Sequence, residues 1–192
     1  MQLILGSQSP RRKEILEFFS IPFIQAISSY DEESVPFSGN PEDYACILSE
    51  GKAQALMQKF PESLILTADT IVFREGKLYG KPKNKDVAYQ MLAELAGQWH
   101  SVYTGVTIRN HEKALSKAEV TQVLFNRLTP EQIHNYLAHV DWADKAGGYS
   151  IQMNGGIIVR KIEGCYYNVK GLPINTVDSL LKQFGLSLWD YL

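Results

Sequence analysis

The sequence predicts a fold of the α/β class, and three observations lead to this prediction. Short apolar runs typical of strands alternate along the chain with segments typical of helices. No internal repeat or low-complexity linker interrupts this alternation. With 192 residues, 45% of them hydrophobic, the chain is long enough to bury a sizeable core. We therefore expect one large domain or two tightly joined lobes.

The first elements are a strand, a helix and a second strand. The apolar run LILG, residues 3–6, predicts the first strand. Ser9 followed by Pro10 indicates a helix start, because serine caps a helix and proline at its first position needs no N–H partner. PFIQAIS, residues 22–28, predicts the second strand. The helix between them is expected to bury Ile15, Leu16, Phe18 and Phe19.

An acidic loop separates these elements from the next helix and strand. The loop is SYDEESVPFSGN, residues 29–40, and its last residue, Asn40, stands before Pro41 in a second cap-plus-proline pattern. The apolar run that follows predicts a strand ending at residues 67–69. A hairpin with its turn at residues 75–76 is expected after that strand.

The central part of the chain predicts a helix and a strand hairpin. Residues 84–97 form the helix, and Gly97 is its C-terminal stop. The β-branched segments 102–110 and 117–128 predict two strands that pair as a hairpin.

The C-terminal part begins with a well-marked helix. Thr129 and Gln132 form a capping box at the start of residues 129–140. Residues 145–173 are rich in glycine and β-branched side chains, and a final helix is expected at about 175–184.

Charge and composition exclude several classes of partner. Nineteen basic and 21 acidic side chains give a net charge of -2, so no general excess of positive charge attracts nucleic acid or an anionic membrane. No apolar stretch approaches the roughly 20 residues of a spanning helix, and the start lacks the apolar region of a signal peptide. Cys46 and Cys165 lack a ligand-like spacing, which predicts buried thiols in a reducing compartment. These features predict a cytoplasmic protein with no nucleic-acid or membrane partner.

The stretch LGSQSPRR, residues 5–12, predicts an anion site. A strand that leads directly into a helix N-terminus points free N–H groups and the positive end of the helix dipole at one place. Ser7 and Ser9 add hydroxyl groups there. Arg11 and Arg12 stand in the first helical turn, where arginine opposes the dipole, so a bound anion would offset their cost. The alternative is a capped helix with two solvated arginines.

A second group of residues carries charges of both signs at loops and element ends. Asp69 follows an apolar run and Lys81 follows the hairpin, while Glu33 lies in the acidic loop beside Glu32, and Lys52 lies inside a helix. Carboxylates that hold a divalent ion, beside cations that hold phosphates, are what phosphoryl-transfer chemistry requires. The alternative for Asp69 and Lys81 is an ordinary surface pair.

The segment DKAGGYSIQ ends in Gln152, whose side-chain amide has both a donor and an acceptor for the edge of a base. The glycines of this segment permit another group to approach its backbone closely. The alternative is a turn followed by a strand with an outward Gln152.

Six motifs in order, SQSPRR, ADTIV, GKP, MLAELAGQWHSVYTGV, DKAGGYSIQ and NVKGLP, resemble those of the Maf family of nucleoside triphosphate pyrophosphatases, historically described as septum formation inhibitors. The resemblance covers essentially the whole chain. It implies a two-lobed, mixed-sheet α/β fold related to inosine triphosphate pyrophosphatase, with the nucleotide in a cleft between the lobes. It also implies one domain spanning residues 1–192, and a homodimer.

The resemblance also implies roles for individual residues. Asp69 matches the catalytic proton acceptor, and the GYGIQ-like segment looks like the branch that acts on dTTP and UTP. Three positions match those associated with substrate choice: Arg11, Thr70 and Gln152. Further positions match polar residues that line the family's cleft: Ser7, Arg12, Glu33, Lys52 and Lys81.

Three residues depart from the family pattern. Gly6 replaces an alanine and is expected to loosen a turn. Ser150 and Met153 replace glycines on either side of the Ile-Gln pair, and the bulkier Met153 is expected to narrow or reshape the base pocket.

The predicted reaction is hydrolysis of a nucleoside triphosphate between the α and β phosphates, which releases the monophosphate and pyrophosphate. Mg²⁺ or Mn²⁺ is the expected cofactor, held by Asp69 with help from Glu33. The leaving group is neutralised by the helix N-terminus and by Arg12, Lys52 and Lys81. The histidines form no metal-ligand pattern and neither cysteine has an adjacent base, which argues against a Ser/His or Cys/His hydrolase. The alternative is a nucleotide-binding regulatory protein of septation with little turnover.

Overall fold

A mixed sheet of seven strands forms the centre of the computed structural model, which describes residues 2–192. The strands are β1 (Leu3–Gly6), β2 (Phe23–Ala26), β3 (Leu64–Arg74), β4 (Lys77–Tyr79), β5 (Trp99–Arg109), β6 (Ala114–Phe125) and β7 (Val159–Glu163). They follow the order β2-β1-β3-β5-β6-β7, and β4 pairs with β3 outside this path. β1 is parallel to β2 and β3, whereas the remaining pairs are antiparallel. The predicted α/β class with a mixed sheet is therefore confirmed.

Six α-helices cover the sheet within the described residues. They are α1 (Pro10–Glu17), α2 (Pro41–Met57), α3 (Lys85–Leu95), α4 (Pro130–His139), α5 (Tyr166–Lys170) and α6 (Ile174–Lys182). Short 3₁₀ segments lie at Ala146–Gly148, Met153–Ile158 and Leu188–Tyr191. The start signals at Asn40 and Thr129 are confirmed, since Asn40 caps α2 and Thr129 forms the capping box of α4 with Gln132. Helix α1 begins at Pro10 as predicted, but the Ser9 side chain makes no capping hydrogen bond. Within residues 2–192, no helix combines the length and apolar character needed to span a membrane.

Several expectations about the elements are wrong. β3 does not end at residues 67–69 but continues to Arg74, because it pairs with β5 along its length, and Asp69 therefore lies in mid-strand. Phe18 is exposed rather than buried, because α1 ends at Glu17 and the helical pattern stops there. The two cysteines are free thiols but only half-buried.

One face of the sheet carries two hydrophobic clusters. Even-numbered residues of β3 point to this face, since successive side chains of a strand alternate. Leu64 and Leu66 join a cluster with α1 and α6, whereas Val72 joins a cluster with α3 and α4. The polar pair Thr70 and Thr104 lies between the clusters along the strands, joined by a 2.9 Å hydrogen bond. Thr70 of this pair lines the cleft described below.

Helix α2 packs on the opposite face, close enough to bring its side chains to β3. A Cβ atom at Gly105 of β5 would collide with the backbone of Ala45, so only glycine permits this approach. Ala53 and Leu56 pack against Ile4 and Ile65 in the same layer. The close packing places the next inward side chain of α2, Lys52, over the middle of β3.

Gly6 is not part of a loosened turn. It is the last residue of β1, and a Cβ atom there would collide with the side chains of Leu56 and Thr67. The residue therefore serves packing between β1, α2 and β3, and the expectation of a looser turn is wrong.

His100 fixes one wall of the cleft and gives the fold an acid-sensitive element. It is 2% exposed, and its Nε2 lies 3.0 Å from the hydroxyl of Tyr149. Burial lowers the pKa of His100 from 6.5 to about 4. Its Nδ1 has no hydrogen-bond partner among the described residues, so protonation would add an unsatisfied buried charge.

We expect the folded state to lose stability as the pH falls from about 6.5 to about 4. The unfolded chain binds this proton at its ordinary pKa while the folded chain resists it, so the contribution is present above pH 6.5 and is lost on acidification. The full loss amounts to roughly 3 kcal/mol. Urea unfolding of the wild type and of His100→Gln across this range measures it, and parallel curves for the two proteins would contradict the assignment.

Candidate active site

A cleft of about 330 Å³ opens beside the middle of β3, beyond the point where β1 ends, and residues from both faces of the sheet line it. The end of β1 and the first turn of α1 form one side, and the middle of β3 forms the floor. The segment 144–152 and the turn after α5 form the opposite side. Nearly all residues predicted for the site line this cleft: Ser7, Ser9, Arg11, Arg12, Lys52, Asp69, Thr70, Lys81 and Gln152.

Asp69 is the most enclosed carboxylate of the cleft, with 8% of its surface exposed. The Lys52 ammonium, reaching from α2, contacts Asp69 directly and lies 2.9 Å from Glu32. Burial raises the pKa of Asp69 above its usual value, although Lys52 and Arg12 oppose the rise. Burial also acts on Glu32, but there the Lys52 charge prevails and the pKa lies below its usual value. Asp69 is therefore the more basic carboxylate of the pair, which suits a proton acceptor.

Glu32, and not Glu33, is the acidic-loop residue that faces the cleft. Glu33 is exposed and lies outside the cleft lining, so its predicted place in a metal site is wrong. In an irregular loop neighbouring side chains diverge without a fixed period, and the sequence therefore gave no basis for choosing between them.

The donor set suits a divalent cation that is shared with a substrate. Within residues 2–192 no group of three or more His, Cys, Asp or Glu side chains is arranged to hold a metal ion alone. Mg²⁺ is commonly held by one or two carboxylates together with substrate phosphates and water. Asp69 and Glu32 supply two such carboxylates on either side of the Lys52 ammonium.

The first turn of α1 presents the predicted donors. Ser9 is the N-cap residue, but its side chain makes no capping hydrogen bond. The Ser7 oxygen accepts from the Ser9 N–H at 3.1 Å and from Arg12 at 3.2 Å, which leaves the Ser7 hydroxyl hydrogen available. Arg12 also donates to the Gly171 carbonyl at 2.7 Å and to Thr70 at 3.0 Å. Arg12 therefore ties α1 to β3 and to the turn after α5.

The segment that carries Gln152 is a folded loop without a strand. Gly147 and Gly148 take φ values of +73° and +70°, a left-handed conformation that favours glycine, and the Gly147 N–H donates to the Gly80 carbonyl at 3.0 Å. Gln152 follows in extended conformation, half-buried and facing the cleft. The alternative of an outward Gln152 on a strand is therefore wrong.

Met153 does not narrow the cleft, contrary to the expectation that it narrows or reshapes a base pocket. Its side chain is 95% exposed and lies outside the cleft lining. Its φ of +52° is left-handed, which explains why a glycine suits this position.

The sequence did not predict two lysines that line the cleft or a buried threonine that supports it. Lys145 and Lys170 line the cleft and are 9% and 5% exposed. Thr104 is fully buried; it donates to the Asn168 carbonyl at 3.0 Å and accepts from the Thr70 hydroxyl at 2.9 Å, so it supports Thr70 of the cleft from behind. Both lysines stand inside the motifs DKAGGYSIQ and NVKGLP, whose charged positions were the available signal.

Comparisons with known proteins find a matching family model, full-length relatives and a solved structure of similar fold. A family model described as "Maf-like protein" matches residues 2–184. A Chlamydia caviae protein named dTTP/UTP pyrophosphatase is 48% identical over 192 residues, which are 100% of this chain and 98% of the relative. A Chlamydia muridarum protein named nucleoside triphosphate pyrophosphatase is 45% identical with the same coverage. The solved Staphylococcus aureus Ham1 protein aligns with a TM-score of 0.50 and 12% identity, covering 96% of this chain and 100% of that one, which is a similarity of fold alone.

Proposed function

This chain belongs to the Maf family, and on that basis we propose that it hydrolyses dTTP and UTP to the nucleoside monophosphate and pyrophosphate. The coarser activity, that of a nucleoside triphosphate pyrophosphatase and hence a hydrolase, follows from its full-length relatives. The observation that carries the proposal is the buried Asp69 in contact with Lys52, in a cleft that also contains Gln152.

The two ends of the cleft suit the two ends of a nucleotide. The first turn of α1, Lys52 and Lys81 supply N–H groups, hydroxyls and ammonium charge for a triphosphate. Gln152 supplies an amide that donates to a ring carbonyl and accepts from a ring N–H, which is the pairing that thymine and uracil offer. The cleft volume of about 330 Å³ falls in the range of small-molecule sites.

The mechanism begins with water in line with the α-phosphorus. Asp69 accepts a proton as the water oxygen bonds to phosphorus, and the bond from the α-phosphorus to the bridging oxygen breaks. Lys52 and Lys81 stabilise the charge that develops on the departing pyrophosphate. Arg12, held by Gly171 and Thr70, keeps the helix N-terminus aligned with the phosphates.

A divalent cation, Mg²⁺ or Mn²⁺, is part of this proposal. Asp69 and Glu32 would hold it together with phosphate oxygens. When bound, such an ion supplies charge neutralisation and lowers the pKa of water.

The proposal is tested by measuring pyrophosphate release from dTTP, UTP, CTP, GTP and 7-methyl-GTP. Each nucleotide is assayed with Mg²⁺, with Mn²⁺ and with a chelator. We expect the highest rates with dTTP and UTP and no release with chelator. Binding without turnover across the panel would favour the alternative, a regulatory nucleotide-binding protein of septation. A buried carboxylate among phosphate-binding cations favours the enzyme, because binding alone does not require it.

Replacing Gln152 by alanine is expected to change the ranking of bases rather than lower all rates equally. The loss of its amide removes hydrogen bonds to the base, and the kcat/KM ratio of UTP over CTP should fall about tenfold. Met153→Ala is the matched control, because Met153 is next to Gln152 in the chain but its side chain is exposed. This variant should rank the bases as the wild type does. An equal loss on every nucleotide in Gln152→Ala would show that this residue does not read the base.

Three further expectations extend the proposal beyond the reaction. We propose that residues 1–192 act as one domain in a homodimer, which sedimentation velocity tests. We also propose a cytoplasmic location, which fluorescence microscopy of a tagged chain tests. A link to cell division is proposed as well, and microscopy of deletion cells tests it.

A further inference from the structure

The ion pair between Arg11 and Asp144 joins the two sides of the cleft directly. Arg11 Nη1 donates to Asp144 Oδ2 at 3.0 Å, across 133 positions of the sequence. Arg11 stands in the first turn of α1, at the end that suits the triphosphate. Asp144 begins the segment that leads to Gln152, at the end that suits the base.

Asp144 uses its two oxygens for two different cations. Oδ2 accepts from Arg11, and Oδ1 accepts from the ammonium of Lys145. Lys145 is 9% exposed and lines the cleft, and it also contacts Asp141 at 3.0 Å. Asp144 therefore connects a cation of α1 with a buried cation of the base-side segment.

The pair also decides where the Arg11 guanidinium lies. An arginine in the first turn of a helix opposes the dipole, and an anion is needed to offset the cost. The carboxylate of Asp144 supplies this anion from within the protein. Arg11 is consequently turned toward the segment of Gln152, while Ser7 and Arg12 remain at the N-terminus.

We propose that Asp144 is a positioning residue for base selection, which acts by holding Arg11 beside the segment that carries Gln152. This inference rests on the proposed function and deepens it, because it assigns a determinant of substrate choice at the same site. Asp144 also lines the cleft, but in this proposal it acts through Arg11 and not by contact with the base.

Three variants separate this role from a structural one. Asp144→Asn keeps the size and removes the charge, Arg11→Gln removes the partner, and the double variant combines them. Asp141→Asn is the matched control, because Asp141 contacts Lys145 but not Arg11. Asp144→Glu retains the carboxylate and should restore part of the effect.

The readout is the kcat/KM ratio of UTP over CTP. We expect Asp144→Asn and Arg11→Gln each to lower the ratio by about tenfold, and the double variant to lower it no further, since both remove one interaction. Asp141→Asn should stay within about twofold of the wild type, and thermal unfolding should show all variants folded. An equal loss on both nucleotides in Asp144→Asn, or multiplied losses in the double variant, would overturn the proposal.

A binding measurement separates this proposal from the proposed function. Calorimetry gives the Kd of non-hydrolysable α,β-imido analogues of the same nucleotides. If the wild type binds the analogues without turning over the nucleotides, the function fails, but the Kd ratios of the variants still judge Asp144. We expect Asp144→Asn and Arg11→Gln each to lower the preference for the UTP analogue over the CTP analogue, given by the ratio of their Kd values, by about tenfold. Absence of analogue binding by the wild type overturns both.

Discussion

Replacing Asp69 by asparagine is expected to lower kcat for dTTP and UTP by a factor of about 10² to 10³, while nucleotide binding persists. The amide keeps the size of the side chain but cannot accept the proton of the attacking water. Pyrophosphate release under saturating nucleotide measures kcat, and calorimetry with a non-hydrolysable analogue measures binding.

Asp178→Asn is the matched control for this prediction. Asp178 is also a buried aspartate, paired with Lys182 at 2.6 Å, but it lies away from the cleft. We expect this variant to lose stability and retain kcat. Comparable kcat in Asp69→Asn and the wild type would remove Asp69 from the mechanism.

The pH profile gives a second readout for Asp69. Because burial raises the pKa of this carboxyl, its basic form is lost as the pH falls through a value above the ordinary 3.9 or so. The acid limb of kcat/KM should therefore lie above that pH in the wild type. It should be absent from the residual activity of Asp69→Asn.

Replacing Lys52 by methionine is expected to damage both stability and turnover. Lys52 is buried between Asp69 and Glu32, so in the metal-free protein its removal leaves two carboxylates close together without a cation between them. Removing one partner of a buried ion pair costs about 3–5 kcal/mol. The loss of positive charge at the phosphates should lower kcat/KM by at least about 100-fold.

The double variant Lys52→Met with Asp69→Asn tests the reason for the lost stability. Removing the second charge should restore much of the free energy of unfolding in urea, but not the activity. Lys77→Met is the control, because Lys77 and Glu94 form an exposed pair worth about 1 kcal/mol or less. Equal stability losses in the single and double variants would show that the two side chains do not interact as proposed.

Local signals in the sequence predicted most of the fold. The caps at Asn40 and Thr129 are confirmed because a cap is made by residues within one turn of each other. The strand hairpin of β5 and β6 is likewise confirmed. The predicted end of β3 was wrong, because pairing with β5 extends the strand beyond what its own composition indicates.

In the candidate site, too, some features were predicted from the sequence and others depend on the path of the backbone. The family resemblance implied that Asp69, Lys52 and Gln152 share a cleft, and the structure brings them together. The choice of Glu32 over Glu33 depended on the path of an irregular loop. The outward direction of Met153 depended on its left-handed backbone.

The sequence by itself determined the α/β class, the capped helices, the family resemblance and the identity of many of the polar groups in the cleft. These properties reside in residue types, short spacings and ordered motifs. Only the tertiary structure decided that Asp144 holds Arg11, that Lys52 stands between two carboxylates and that Asp69 lies in mid-strand. Such contacts join residues far apart in the chain, so packing of α1, α2 and the base-side segment against the sheet sets their geometry.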